Sequence, residues 1–260
     1  MTARLFALAT GLCLSLALHA AERPAVAVAA SLRIAMPALA AAFEDRTGHR
    51  IRLSYAASGL LTRQIRRGAP FELFLAANAA YPERLVRAGL TEGEGRVYAH
   101  GRIGLFAPDD SPIAVADGLA GLRRALAAGS VARFAIPNPR HAPYGVRARQ
   151  ALEHAGAWSA IQPALVVGEN AAQAAQFAAS GSTAGGIIPA SLGRAPRFAQ
   201  RGRFALIPAA RHEPLPQRMV LLQGAGPVAR ALHDFLLSGR AREVLRMHGF
   251  SVPTSGDPAP

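Results

Sequence analysis

Residues Ala25–Ala76 read AVAVAASLRIAMPALAAAFEDRTGHRIRLSYAASGLLTRQIRRGAPFELFLA, three short apolar runs separated by two helical patterns. The first run, Ala25–Ala30, is unbroken by a polar residue, the mark of a strand covered on both faces. Leu32, Met36, Leu39 and Phe43 then recur at the spacing of one helix face, and Thr47-Gly48 closes the pattern. Pro37 falls inside it and has no N–H to give, so a kink or a late helix start is expected there. Ile51–Tyr55 reads as a second strand, Leu60–Arg67 as a second helix stopped at Gly68, and Phe71–Ala76 as a third strand. Repeated strand–helix units dictate parallel pairing, since a parallel neighbour requires a crossover and the helix supplies it. The fold class is α/β.

The alternation continues outward from this stretch. Pro82–Ala88, Gly145–Ala155 and Ala171–Ala179 read as helices; Ile103–Ala107, Arg133–Pro137, Ala164–Val167 and Gly186–Ile188 read as strands. Met219–Leu222 is a late strand, and Pro227 opens a helix with Val228, Leu232 and Phe235 on one face. A last helix runs from Arg240 to His248, with Gly249 as its stop. The tail Thr254–Pro260 is polar and Pro-rich and is expected to be disordered.

At the other end, residues 1–20 (MTARLFALATGLCLSLALHA) have the form of a secretory signal peptide. Arg4 supplies the positive start, Leu5–Leu18 the apolar centre, and the small residues before Ala20 the cleavage site. That apolar centre is shorter than the ~20 residues a membrane-spanning helix needs. The single cysteine, Cys13, lies inside this segment, and the bulky Leu12 before it does not suit lipoprotein processing. The mature chain would therefore hold no disulfide and no thiol nucleophile. An exported protein is expected.

Composition narrows the partners. The 260 residues carry a formal charge of +13, every basic residue is arginine, and aromatics make up 6%. A basic excess points to nucleic acid, an anionic surface or a small anion. Few aromatics argue against a base-stacking platform, and pairs such as Arg66-Arg67 and Arg123-Arg124 are scattered rather than gathered in a stripe. Nucleic acid is therefore not expected as a partner.

Catalytic patterns are nearly absent. The eight histidines show no HxH or HxxxH spacing, so no metal cation site is expected. Neither G-x-G-x-x-G nor a phosphate-binding loop with lysine occurs; Gly181–Gly186 has the wrong spacing. Asp109-Asp110 lies in a Pro-flanked turn. Ser58 in Ala57-Ser58-Gly59 lacks the first glycine of a nucleophile elbow, so a serine hydrolase stands only as a distant alternative. The chain is not expected to be an enzyme.

The strand-to-helix junctions carry more. Ser31 follows the first strand, Ser58 the second, Tyr144-Gly145 opens one helix and Asn170-Ala171 another. Ser and Asn at such places commonly act as N-caps. The carboxyl ends of strands are also where open α/β sheets bind ligands, and helix N-termini there offer unpaired N–H groups and partial positive charge. Several such junctions facing one point would hold a small oxyanion without a charged side chain.

These residues have a family likeness. Ala29-Ala30-Ser31-Leu32, Ala57-Ser58-Gly59-Leu60-Leu61-Thr62-Arg63-Gln64-Ile65, Gly68–Ala77, Pro137-Asn138-Pro139, Ala142-Pro143-Tyr144-Gly145, Ala157-Trp158 and Gly249-Phe250 resemble the periplasmic molybdate-binding proteins of ABC transporters. The resemblance implies a two-lobed periplasmic binding protein, each lobe a mostly parallel sheet flanked by helices, with the ligand cleft between them. It implies lobe one at 21–100 plus 212–253 and lobe two at 101–211. It also implies no cofactor, a molybdate or tungstate ligand, a membrane permease as partner, a monomer, and residence in the periplasm. Carried over by position, the oxyanion ligands are Ser31 and Ser58 through hydroxyl and N–H, and Tyr144 and Ala171 through N–H. At Pro189 the sequence departs from the family, where many members have a tyrosine hydroxyl. Proline supplies neither hydroxyl nor N–H, so the site works with one donor fewer, another group such as Tyr144 or Ser191 substitutes, or the preferred anion is sulfate or phosphate-like instead. Phosphate keeps a proton that wants an acceptor; none of the four matched ligands carries one, although Glu169 stands nearby in sequence.

Overall fold

The computed structural model describes residues 23–252. The expected signal peptide at 1–20 and the tail at 254–260 lie outside the described residues.

The chain begins with β1 (Ala25–Ala29), α1 (Ala35–Thr47), β2 (Arg52–Ala56), α2 (Ser58–Arg66), β3 (Leu73–Ala76), α3 (Ala80–Arg87) and β4 (Thr91–Gly101). It crosses into β5 (Ile103–Pro108), α4 (Gly118–Ala127), β6 (Phe134–Pro137), α5 (Pro143–His154), α6 (Trp158–Ile161), β7 (Leu165–Gly168) and α7 (Ala171–Ala179). Then come β8 (Gly186–Pro189), α8 (Ala190–Gly193), α9 (Pro196–Ala199) and β9 (Gly202–Leu206), before the chain returns through β10 (Leu215–Leu222), α10 (Pro227–Leu236) and α11 (Gly239–Met247). Two five-stranded sheets result, in the orders β2-β1-β3-β10-β4 and β7-β6-β8-β5-β9.

The sheets are mixed. β1 pairs in parallel with β2 and β3, and β6 with β7 and β8, as strand–helix–strand crossovers require. The strands at the crossing points run the other way: β10 is antiparallel to β3 and β4, and β5 to β8 and β9. A strand that enters a sheet from the neighbouring lobe has no helical crossover on that sheet, so nothing forces it parallel.

Period-2 alternation explains the core of the first sheet. Val26 and Val28 of β1, with Leu73 and Leu75 of β3, face α1, α10 and α11; Ala27, Phe74 and Ala76 face α2 and α3. Phe43 of α1 meets Phe235 of α10 at 5.7 Å between ring centroids. Full burial of such a ring stabilises by roughly 1.5–3 kcal/mol. In the second lobe Phe106 of β5 packs edge-on against Phe198 of α9.

Several elements differ from the sequence reading. α1 starts at Ala35, which puts Pro37 in the first turn, where a missing N–H costs little; a separate 3₁₀ turn, Ala30–Leu32, precedes it. The proline thus sets a late start and not a kink. β4 carries charged residues and no long apolar run, and it is an edge strand, where one side needs no apolar neighbour; β9, also at an edge, has only the short run Phe204–Leu206 after Arg203. The sequence reading also passed over α4, although Leu119, Leu122 and Leu126 recur there at the spacing of one helix face.

All three parallel strands of lobe one end on the same side. Ser31 follows β1, Ser58 follows β2 and Ala77 follows β3. In lobe two the corresponding ends of β6, β7 and β8 lead into Tyr144, Ala171 and Pro189. The two sets face each other: Ala29, Ala30 and Ala77 of lobe one share a buried cluster with Tyr144, Ala171 and Ala172 of lobe two.

Candidate functional site

Ser31 and Ser58 are 1% and 0% exposed, and Tyr144 is 2% exposed. Neither serine is an N-cap. Ala57 caps α2 without a side-chain bond, and Ser58, its first helical residue, accepts a 3.0 Å bond from the Ala77 N–H through Oγ. Ser31 lies inside the 3₁₀ turn; its Oγ is buried and has no hydrogen-bond partner. A buried hydroxyl left unpaired costs free energy unless something else satisfies it. Asn170 is the true cap. Its Oδ1 accepts from the N–H groups of Ala172 and Gln173, at 3.0 and 3.1 Å. The cap thereby leaves the Ala171 N–H to another acceptor.

Tyr144 is the second helical residue of α5, after Pro143, so its N–H has no partner within the helix. Its phenol accepts a 3.1 Å bond from Gln217 Nε2. Burial pushes the phenol well above its ordinary value, offset in part by the neighbouring Ser31 and Gln217 side chains. Tyr144 is thus a neutral donor at every physiological pH.

The lobes also touch beside these groups. The Gly59 N–H donates to the His141 carbonyl at 3.0 Å, and Ser191 Oγ donates to the Ser31 carbonyl at 2.8 Å. Ser191 is therefore committed to a cross-lobe bond and is not the replacement for a missing tyrosine. Pro189 ends β8 opposite Ile103, and the next N–H, that of Ala190, donates to the Arg102 carbonyl. No donor comes from this corner. Glu169 is half exposed and tied to His141, whose Nε2 lies 2.9 Å from its carbonyl and 3.3 Å from Oε1. It is turned toward His141 and solvent.

Charge stays outside. Arg147 pairs with Glu213 at 2.9 Å and donates to the Pro214 carbonyl, while Arg218 pairs with Glu83 at 3.2 Å. What converges between the lobes is a set of neutral O–H and N–H groups at helix starts, which suits an anion that only accepts hydrogen bonds. A groove of about 640 Å³ lined by Arg23, Arg52, Glu72 and Gln223 lies at the opposite, amino-terminal ends of β1, β2 and β3. Among the described residues no group of three or more metal-ligating side chains occurs.

Sequence reading missed Gln217 and His141. Gln217 had a signal: with Leu215 and Met219 it occupies alternate buried positions of β10, and a polar residue on such a face needs partners.

A family model described as bacterial extracellular solute-binding protein matches residues 24–251. The chain belongs to that family. It is 33% identical to molybdate-binding protein ModA of Rhodobacter capsulatus over 255 residues, covering 96% of each chain. With ModA of Azotobacter vinelandii it shares 36% identity over 249 residues, covering 95% of this chain and 96% of that one. The solved periplasmic molybdate-binding protein of Azotobacter vinelandii has a TM-score of 0.81 at 26% identity, covering 89% of this chain and 100% of that one. Two-lobed architecture is thus common to the family and to this chain.

His212, where the chain returns from β9 toward β10, is placed to make stability depend on pH. Burial pulls the His212 imidazole below the ordinary value of 6.5; Arg102 and Arg147 act in the same direction, against a bond to the Glu213 backbone. A histidine with a lowered native value binds protons more readily in the unfolded chain. Its contribution is complete above pH 6.5 and is lost as pH falls below it. The unfolding temperature is expected to drop on acidification through that window, and His212→Gln should flatten part of the drop. A variant with the wild-type slope would remove His212 from the account.

Proposed function

We propose that this chain is the exported substrate-binding component of an ABC importer and that it traps molybdate, with tungstate as a close substitute. Ser31, Ser58, Tyr144 and Ala171 are the oxyanion ligands in this reading, and Pro189 contributes nothing. The observation that carries it is the buried Ser31 Oγ, with only the Tyr144 phenol beside it, among helix-start N–H groups from both lobes. The names of the relatives support the choice of anion. Lobe one comprises 21–100 and 212–253, lobe two 101–211, and residues 1–20 direct export to the periplasm. The protein works as a monomer that closes on its ligand and docks on a membrane permease. In this reading it neither catalyses a reaction nor binds nucleic acid: Ser58 Oγ accepts the Ala77 N–H, and the nearby His141 is engaged through Nε2 with Glu169.

Thermal unfolding with molybdate, tungstate, sulfate and phosphate in turn tests this. At ~100 times its dissociation constant a ligand adds about 2.7 kcal/mol, a rise of roughly 5–11 °C for a chain of this size. Molybdate and tungstate should give the largest rise. A transition that no tetrahedral oxyanion moves would end the receptor reading.

A further inference from the structure

Beneath the two serines lies a single amide connected to both. Gln217, in β10, is 0% exposed. Its Nε2 donates to the Ala77 carbonyl at 3.4 Å and to the Tyr144 hydroxyl oxygen at 3.1 Å; Tyr98 donates to Oε1 at 3.5 Å. A carbonyl only accepts, so the Ala77 contact fixes which end of the amide is nitrogen. The same Ala77 peptide gives its N–H to Ser58 Oγ at 3.0 Å. The group has no slack. A Cβ on Gly101, at the crossing between lobes, would lie 2.3 Å from the Tyr144 hydroxyl and 2.7 Å from Gln217 Nε2.

Proton directions follow from these bonds. A phenol has one proton, and with Gln217 donating to its oxygen that proton must turn elsewhere. Beside the phenol stands Ser31 Oγ, buried and with no other partner. If Tyr144 donates toward it, the Ser31 proton is left to point at the anion. Ser58 is treated alike: the Ala77 N–H occupies a lone pair of Oγ and leaves its proton for the ligand.

We propose that Gln217 is a specificity-determining positioning residue, which through Tyr144 and the Ala77 peptide turns the hydroxyl protons of the cleft outward. The site then presents protons only. It accepts fully deprotonated oxyanions and disfavours any that must donate a proton, such as hydrogen phosphate. This rests on the oxyanion-receptor reading; Gln217 itself does not touch the anion.

The test is calorimetric titration of the full chain as wild type, Gln217→Met, Tyr144→Phe and the double variant. Each is titrated with molybdate, and with inorganic phosphate in competition, at a pH where phosphate retains a proton. Either single change should weaken molybdate about tenfold, the effect of one mis-aimed bond to a charged ligand. The preference for molybdate over phosphate should narrow by about the same factor. The double variant should bind molybdate no more than about twofold worse than the poorer single one, because both break one relay. An amide that merely fills space predicts otherwise: Gln217→Met would lower the unliganded unfolding temperature while the anion preference stayed at the wild-type value. An unchanged preference in both single variants, or losses that multiply in the double, overturns the proposal. Should Gln217→Met fail to fold, Tyr144→Phe decides alone by the same preference. A wild-type chain that binds no tetrahedral oxyanion overturns the receptor reading instead, whereas wild-type binding with an unaltered preference in the variants overturns this inference only.

Discussion

Replacing Ser31 and Ser58 together by alanine is expected to weaken oxyanion binding by roughly 10²–10⁴-fold, from two lost hydrogen bonds to a charged ligand at about 1.5–3 kcal/mol each. The two serines should separate in stability. The Tyr144 phenol is the one side chain beside Ser31 Oγ, which makes no well-formed bond of its own, so Ser31→Ala should cost the ligand-free fold less than Ser58→Ala does. Ser58 Oγ accepts from the buried Ala77 N–H, and Ser58→Ala orphans that donor at about 1–3 kcal/mol. Ligand-free unfolding temperatures should therefore fall further for Ser58→Ala than for Ser31→Ala, while titration shows both losing affinity. Wild-type affinity in the double variant would take these serines out of the site.

The second large effect is expected at Gly59, the second residue of α2. An added Cβ there would lie 2.9 Å from both the Cβ and the carbonyl oxygen of His141 in the other lobe. His141 is held by Glu169 and is 8% exposed, so it has little room to retreat. Gly59→Ala should thus oppose closure and weaken the 3.0 Å bond between the Gly59 N–H and the His141 carbonyl. A combined cost of about 2–4 kcal/mol corresponds to roughly 30- to 1,000-fold in affinity. The open, ligand-free protein should not suffer, because alanine is the better helix former. The signature is reduced affinity, an undiminished ligand-free unfolding temperature, and a radius of gyration in solution that shrinks less when ligand is added. Affinity within twofold of wild type would show that the two loops separate readily without disturbing the site.

These three positions illustrate how the charge of the chain relates to its chemistry. A +13 protein suggests anions, yet the groups that converge between the lobes are uncharged. Arg147 and Arg218 are paired with Glu213 and Glu83. In the receptor reading the net positive charge would raise the rate at which anions arrive, and salt would weaken that effect.

Much is legible in residue order alone. Apolar runs of strand length alternating with helical spacing demand a parallel arrangement, because local periodicity reports which faces are buried. Hence the α/β class, the strand–helix junctions, and the candidate ligands at Ser31, Ser58, Tyr144 and Ala171 can all be named from the chain's residues. Strand β4 cannot, since its charged residues break the apolar pattern, as one open side permits. Nor can the roles of the hydroxyls. Whether a serine caps its own helix, stays unpaired or accepts from a distant peptide depends on groups far away in sequence, such as Ala77 for Ser58. The antiparallel return of β10 is likewise a tertiary matter, and it alone carries Gln217 to Tyr144, 73 positions away. Sequence by itself determined which residues stand at helix starts, because that is a local property of the chain. Only the tertiary structure decided where their protons can point, because a proton's direction is set by whichever acceptors and donors the fold brings within about 3 Å.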